Sequence, residues 1–196
     1  MLDKLKGARI GIALTGSFCT LGKVFDALPT LVEAGARLTP ILSFSVESLD
    51  TRFFTAQQVR QRIEQICGTP ALTTIPQVEP IGPGRLLDLL IVAPCTGNTC
   101  AKLALGIADT PVTMACKSHL RNGRPLLIGL STNDGLAGAA PNIGALLGRK
   151  HVYFVPYGQD DPLNKPTSLV LDPGQLAQAA QAALEDRQLQ PLLVRP

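Results

Sequence analysis

The chain has 196 residues, of which 45% are hydrophobic and only 17% charged, with no Trp and a net charge of +3. A chain of this length buries most of its apolar surface around one core, so a single compact domain spanning residues 1–196 is expected, and the composition excludes disorder and coiled coil while fitting buried parallel strands. The positive excess is small and its basic residues dispersed, which removes nucleic-acid binding as the leading function.

Arg9-Ile-Gly-Ile-Ala-Leu14 is a short apolar run ending in Thr15-Gly16-Ser17. Val24, Leu28 and Leu31 then follow at helical spacing. This predicts strand, turn and helix, with Pro29 kinking or shortening the helix and Gly35 stopping it before a strand over Arg37 to Phe44. Thr55 is placed to cap a second helix whose Val59, Ile63 and Ile66 share one face, and Gly68 ends it. The Pro- and Gly-rich stretch from Ile75 to Gly84 reads as a loop. A buried strand, Leu87 to Ala93, leads through Pro94 to Thr99 into a helix reaching about Gly106, and a further helix covers roughly Pro111 to Leu120. Strands at Leu126 to Leu130 and Val152 to Val155 bracket a helix from about Asn142 to Leu147. An alanine-rich helix from Gln175 to Leu184 closes the chain.

Strand and helix alternate over nearly the whole length, and the strands are almost continuously apolar. That pattern implies an α/β fold with a parallel sheet covered by helices on both faces. Ligands of such sheets bind beyond the carboxyl ends of the strands. The segments of interest are therefore Thr15 to Ser17, Ser43 to Arg52, Pro94 to Thr99, Ser131 to Asp134 and Pro156 to Asp161.

The five cysteines, Cys19, Cys67, Cys95, Cys100 and Cys116, are an odd number in a chain without a secretory leader pattern at its start. They read as cytosolic thiols. Cys95 and Cys100 do not form a CxxC pair, and His119 and His151 lie far from them in sequence, so no structural metal is expected. The longest apolar runs are less than half the roughly 20 residues of a membrane span. A soluble, cytoplasmic protein is expected.

Gly16 through Lys23 is not a nucleotide P-loop: five residues rather than four separate Gly16 from Gly22, and Val24 stands where a Mg²⁺-binding hydroxyl belongs. Gly11 and Gly16 likewise do not fit a dinucleotide fingerprint. Two readings of Thr15-Gly16-Ser17 remain, an ordinary capped turn and an anion cradle in which small residues expose backbone N–H groups at a helix N-terminus, with the Thr15 and Ser17 hydroxyls as further donors.

The segment Ala93-Pro-Cys-Thr-Gly-Asn98-Thr-Cys-Ala-Lys102-Leu-Ala-Leu-Gly106-Ile-Ala-Asp109 carries more. Pro94 stops a strand, Thr96 or Asn98 can cap the helix, and Lys102 lies one turn beyond Asn98. The run resembles the Pro-Ala-Ser-Ala-Asn-Thr signature, with its Lys-x-Ala-x-Gly-x-Ala-Asp extension, of the flavin-containing cysteine decarboxylases in the FMN-binding flavoprotein superfamily. Pro94, Asn98, Thr99, Lys102, Ala104, Gly106, Ala108 and Asp109 match, whereas Cys95, Thr96 and Gly97 depart. The resemblance implies a flavodoxin-like (Rossmann-like) three-layer sandwich. It also implies bound FMN, with the phosphate at Thr15, Gly16, Ser17 and Ser43, with Phe44 as a further cofactor-binding residue, and with Pro94, Cys95, Thr96, Asn98 and Thr99 lining the flavin.

Two elements of those decarboxylases are missing. Ser131-Thr-Asn133-Asp134 stands where they carry Pro-x-Met-Asn-x-x-Met-Trp, and there is no His before His119. His119 and His151 are expected to be core or surface residues. A closer resemblance, over almost the entire chain, is to the family of dipicolinate synthase B subunits, carried by Ala13-Leu-Thr-Gly-Ser-Phe-Cys-Thr20, Thr51-Arg-Phe53, Arg121-Asn122-x-Arg124-Pro125, Ser131-Thr-Asn-Asp134 and Tyr157-Gly-Gln-Asp-Asp-Pro162. That family implies oxidation of a dihydro- or tetrahydrodipicolinate-type precursor to pyridine-2,6-dicarboxylate in sporulating bacteria. It further implies an A subunit that carries NAD(P), homo-oligomerisation, and a small dicarboxylate gripped by Asn98 with Arg52 or Lys102. An FMN-dependent decarboxylase or flavin prenyltransferase, and a non-catalytic subunit supporting the A protein, are the alternatives.

Overall fold

A computed structural model describes residues 2–194. Five strands, β1 (Arg9–Leu14), β2 (Arg37–Leu42), β3 (Leu89–Cys95), β4 (Leu126–Thr132) and β5 (Val152–Phe154), form a parallel sheet in the order 2-1-3-4-5. This is the flavodoxin-like arrangement, in which the strand order reverses between β1 and β3 and opens a crevice at their carboxyl ends.

The apolar strand runs are continuous because both faces are covered. On one face Ile10, Ile12, Leu14, Leu89 and Ile91 pack against helices α1 (Phe18–Ala27), α2 (Pro29–Glu33), α4 (Ala56–Cys67) and α9 (Leu176–Leu184). On the other, Leu90, Val92, Leu126 and Ile128 meet the short α5 (Ile75–Val78), α6 (Gly97–Leu105), α7 (Pro111–Leu120) and α8 (Ala140–Leu147). Among the described residues no helix is long and apolar enough to cross a membrane.

Most local punctuation follows the sequence reading. Pro29 begins α2 one residue after the Leu28 that ends α1, a position where its missing N–H costs nothing. Thr55 and Gln58 form a reciprocal capping box at the start of α4, and Gly68 closes that helix with φ +68°.

Three expectations need correction. The second strand stops at Leu42, because Ser43 accepts the amide of Val46 and turns the chain into a short helix, α3 (Phe44–Ser48). The stretch read as a loop from Ile75 contains α5 and a 3-10 turn at Glu79–Ile81, both with proline in their first turn, where it is tolerated. Beyond β5 lie two further strands that the sequence pattern does not predict, β6 (Tyr157–Gly158) and β7 (Leu169–Leu171). β7 runs antiparallel to the end of β4, pairing Val170 with Ser131 and Leu169 with Thr132, and brings the 159–168 connection over the crevice.

Candidate functional site

The crevice is built from the ends of β1 and β3. Thr15, buried at the end of β1, donates its hydroxyl to the Pro94 carbonyl at 2.7 Å and accepts the Thr96 amide at 3.0 Å. The expected ligand-donor role of this hydroxyl is thus corrected: its one proton is spent tying β1 to β3. Gly16 is left as bare backbone, and a Cβ there would come within 3.2 Å of Ser45 Oγ and 3.4 Å of the Phe18 ring. The half-buried Ser17 precedes the first residue of α1 without capping it.

At the β3 end the peptide before Pro94 is cis. Thr96, extended at φ −72° and ψ 158°, is the N-cap of α6: its Oγ1 accepts the Thr99 amide at 3.1 Å. Asn98, the other residue read as a possible cap, is therefore the second residue of the helix, exposed and turned to the crevice. Gly97 departs from the alanine of the decarboxylase signature for a steric reason. A Cβ at this position would sit 2.7 Å from Thr132 Oγ1 and 2.9 Å from an Asp134 oxygen. Cys95 is fully buried, and the neighbouring Cys100 sulfur together with burial raises its thiol well above the usual range. Its side chain is withdrawn from the crevice, which corrects its expected place in a flavin lining.

A chain of three hydroxyls closes the far wall. Ser131 Oγ, at the end of β4, lies 2.7 Å from both Ser17 Oγ and Thr20 Oγ1. Thr20 and Ser131 are buried, and among the described residues the only other partner of the Thr20 hydroxyl is the weakly accepting Cys19 sulfur at 3.7 Å. Either oxygen of each pair can donate, and the three hydroxyls share their protons along one chain that satisfies the buried Thr20 and Ser131. Ser17, half-buried, is the end of that chain that borders the crevice.

Two compartments share the wall formed by Gly16, Thr96 and Asn98. The smaller, about 220 Å³, is bordered by Ser43, Phe44, Ser45 and Lys102. The larger, about 850 Å³, is bordered by Ser17, Phe18, Lys23, Arg52, Phe53 and Ser131, and the 159–168 connection adds Asp160, Lys165 and Ser168. Charges are distributed unevenly between them. Lys102 Nζ contacts both Asp109 oxygens at 2.9 and 2.8 Å, so its charge is met within the chain. Lys165 is 3.3 Å from Asp160, and the Asp134 carboxylate accepts the Thr132 hydroxyl. Lys23 and Arg52 make no ion pair among the described residues, and the Arg52 guanidinium lies 4.8 Å from the centre of the Phe53 ring.

All five strand-end segments singled out in the sequence contribute a residue to one compartment or the other. Thr20, Lys23, Lys165 and Ser168 were missed. The available signal for the first two was spacing: Thr20 follows Ser17 by three positions and Lys23 follows Thr20 by three, so they are neighbours along α1. His119 and His151 stand away from the crevice. Buried His119 places Nε2 2.9 Å from the Pro125 carbonyl, and burial pushes its pKa down to about 4. His151 Nδ1 faces Asp186 at 3.2 Å. A separate basic cleft of about 280 Å³ holds Lys117, Arg121, Arg149 and Lys150. Lys117 lies in the last turn of α7, and Arg149 donates to the Leu103 carbonyl near the end of α6, where cations offset the helix dipole.

The sequence model of the family described as Flavoprotein matches residues 2–136. The B subunit of dipicolinate synthase from Bacillus subtilis (strain 168) is 44% identical over 193 residues, covering 98% of this chain and 96% of the relative. The crystal structure of the dipicolinate synthase B subunit from Bacillus halodurans C superposes with a TM-score of 0.89 at 40% identity, over 97% of this chain and 98% of the other. A dodecameric FMN-dependent UbiX-like decarboxylase from Escherichia coli O157:H7 superposes with a TM-score of 0.59 at 25% identity, over 76% and 79%.

Proposed function

The chain belongs to the flavoprotein family and, within it, to the dipicolinate synthase B subunits, and on that premise we propose that it is the B component of a cytoplasmic enzyme that oxidises a dihydropyridine-type dicarboxylate to pyridine-2,6-dicarboxylate with FMN. The observation that carries this reading is the wall common to the two compartments, where Asn98 faces both.

The smaller compartment fits the phosphate end of a flavin nucleotide. Its floor is the uncovered backbone at Gly16, where a Cβ would press on Ser45, and the start of α6 borders it with the favourable end of a helix dipole. Gly16 and Ser43 would hold the phosphate, with Phe44, Pro94, Thr96 and Thr99 beside the flavin. Thr15 supports this set indirectly by fixing Pro94 and Thr96. FMN, when bound, accepts the electron pair that no side chain can take. Asn98 donates its carboxamide N–H to a substrate carboxylate, and Arg52 supplies a guanidinium suited to two-point carboxylate contact.

The relatives are B subunits of a synthase, which supports a partner A subunit, and the dodecameric relative supports homo-oligomerisation; a nicotinamide cofactor on the A subunit completes the proposal. The decarboxylase and prenyltransferase alternatives lose support, because neither histidine borders the crevice. Absorption spectra of the purified chain titrated with FMN, and of the chain with its A partner and precursor, test the proposal. Flavin bands that bleach on adding precursor are expected. A chain that takes up no FMN, or one whose released cofactor contains adenine, overturns it.

A further inference from the structure

We infer that the larger compartment holds a flat dianionic ring by its two carboxylates, one at Arg52 with Asn98 and the other at Lys23, and that Lys102 takes no part. The ligand class rests on the function proposed above, whereas the assignment of Lys23 rests on the charges around the crevice. Three cations border the larger compartment, Lys23, Arg52 and Lys165, against two carboxylates, Asp134 and Asp160. Lys165 is met by Asp160. Asp134 keeps its charge on the Gly97 side, where it accepts the Thr132 hydroxyl at the start of α6. Of the three cations that border this compartment, Lys23 and Arg52 are the two with no carboxylate in ion-pair reach among the described residues.

Other features of the compartment point to the same ligand. The Ser17 hydroxyl, at the end of the chain through Ser131 to Thr20, borders the same compartment as Lys23 and offers a polar contact there. The N-termini of α1 and α6, helices of ten and nine residues, both border the space and favour negative charge. Phe18, Phe53 and Val170 give it apolar surface for the body of a ring. Lys102 was the alternative second cation by sequence. It borders the other compartment and is neutralised by Asp109 through both oxygens, so a substrate carboxylate would have to displace an existing partner.

Calorimetric titration of the FMN-treated full-length chain with pyridine-2,6-dicarboxylate and with pyridine-2-carboxylate tests this assignment. The wild-type chain should prefer the dicarboxylate by about tenfold, the ratio given by about 1.4 kcal/mol for one added charge-assisted contact. Lys23→Gln should lower dicarboxylate affinity to that of the monocarboxylate and leave the monocarboxylate within about twofold. Arg52→Gln should weaken both ligands, and Lys102→Gln should keep the wild-type preference. Lys23 is exposed, so Lys23→Gln should fold as the wild type does, which circular dichroism checks. Retention of the preference in Lys23→Gln, its loss in Lys102→Gln, or its absence from the wild-type chain overturns the inference. Flavin uptake is read separately: a chain that shows Lys23-dependent preference without taking up FMN sinks the cofactor reading alone, and a flavin-binding chain without the preference sinks this assignment alone.

Discussion

The hydroxyl oxygens of Ser17 and Ser131 lie 2.7 Å apart although 114 positions separate them in the chain. They join the turn after β1 to the end of β4 across the intervening β3, and Thr20 continues the link into α1. One small side chain on β4 thus holds a hydroxyl in place at the mouth of the crevice.

Replacing Ser131 with Ala removes the hydrogen-bond partner of the buried Thr20 hydroxyl and of Ser17. The expected loss is about 1–3 kcal/mol, the cost of leaving a buried hydroxyl unpaired, read as a lower urea midpoint with an unchanged slope. Pyridine-2,6-dicarboxylate affinity should fall as well, because the Ser17 hydroxyl is no longer held in place. Wild-type stability in this variant would show that the three hydroxyls are not coupled.

Thr15 gives a comparable prediction at the other seam. Thr15→Val strands the Thr96 amide and removes the bond to the Pro94 carbonyl, so about 1–3 kcal/mol of stability should be lost together with FMN uptake. Thr15→Ser keeps the hydroxyl and should retain flavin binding. A valine variant that takes up FMN as the wild type does would remove the seam from the cofactor argument.

The parts of this fold legible from sequence were those fixed locally. The apolar runs of β1 and β3, the Thr55 cap, the break at Pro29 and the stops at Gly68 and Gly106 each depend on a few neighbouring residues. β6 and β7 were not legible, because they are two and three residues long and exist through long-range pairing, with β4, with each other and, for Tyr157, with Leu193. The candidate site divides the same way. Asn98, Gly16 and Ser43 belong to local turns, whereas the neutralisation of Lys102 by Asp109, the withdrawal of Cys95 and the exposure of Lys23 to the crevice depend on how helices pack across the sheet.

Acid stability should be dominated first by His119. Its folded pKa, pushed by burial from the ordinary 6.5 down to about 4, means that the unfolded chain binds a proton before the native one does. The stability associated with neutral His119 is fully present above pH 6.5 and is lost as pH falls toward 4, by at most about 1.4 kcal/mol per pH unit and about 3 kcal/mol in all. Asp88 enters later. The Arg9 hydrogen bond holds its carboxyl well below the usual carboxylate range. Urea unfolding of wild type and His119→Gln at several pH values checks this: the variant should show a flatter profile between pH 6.5 and 4. An equal slope in both would place the acid sensitivity elsewhere.

Asn98 and Thr96 separate capping from ligand contact, two roles that the sequence left joined. Thr96 accepts the Thr99 amide, so Thr96→Ala should cost about 1 kcal/mol of stability, as loss of an N-cap does. Asn98 occupies the second position of α6 and is exposed. An Asp there faces the positive end of the helix dipole and should leave stability within about 1 kcal/mol of wild type, or raise it. The same carboxylate would meet a substrate carboxylate with like charge and without the carboxamide N–H, in a crevice partly shielded from water. Asn98→Asp is therefore expected to fold normally and to bind pyridine-2,6-dicarboxylate at least about tenfold more weakly, equivalent to about 1.4 kcal/mol. Denaturation and calorimetry on the two variants read stability and binding independently. Undiminished dicarboxylate binding by Asn98→Asp would take Asn98 out of the ligand contact, and a stability loss as large as that of Thr96→Ala would return it to the helix cap.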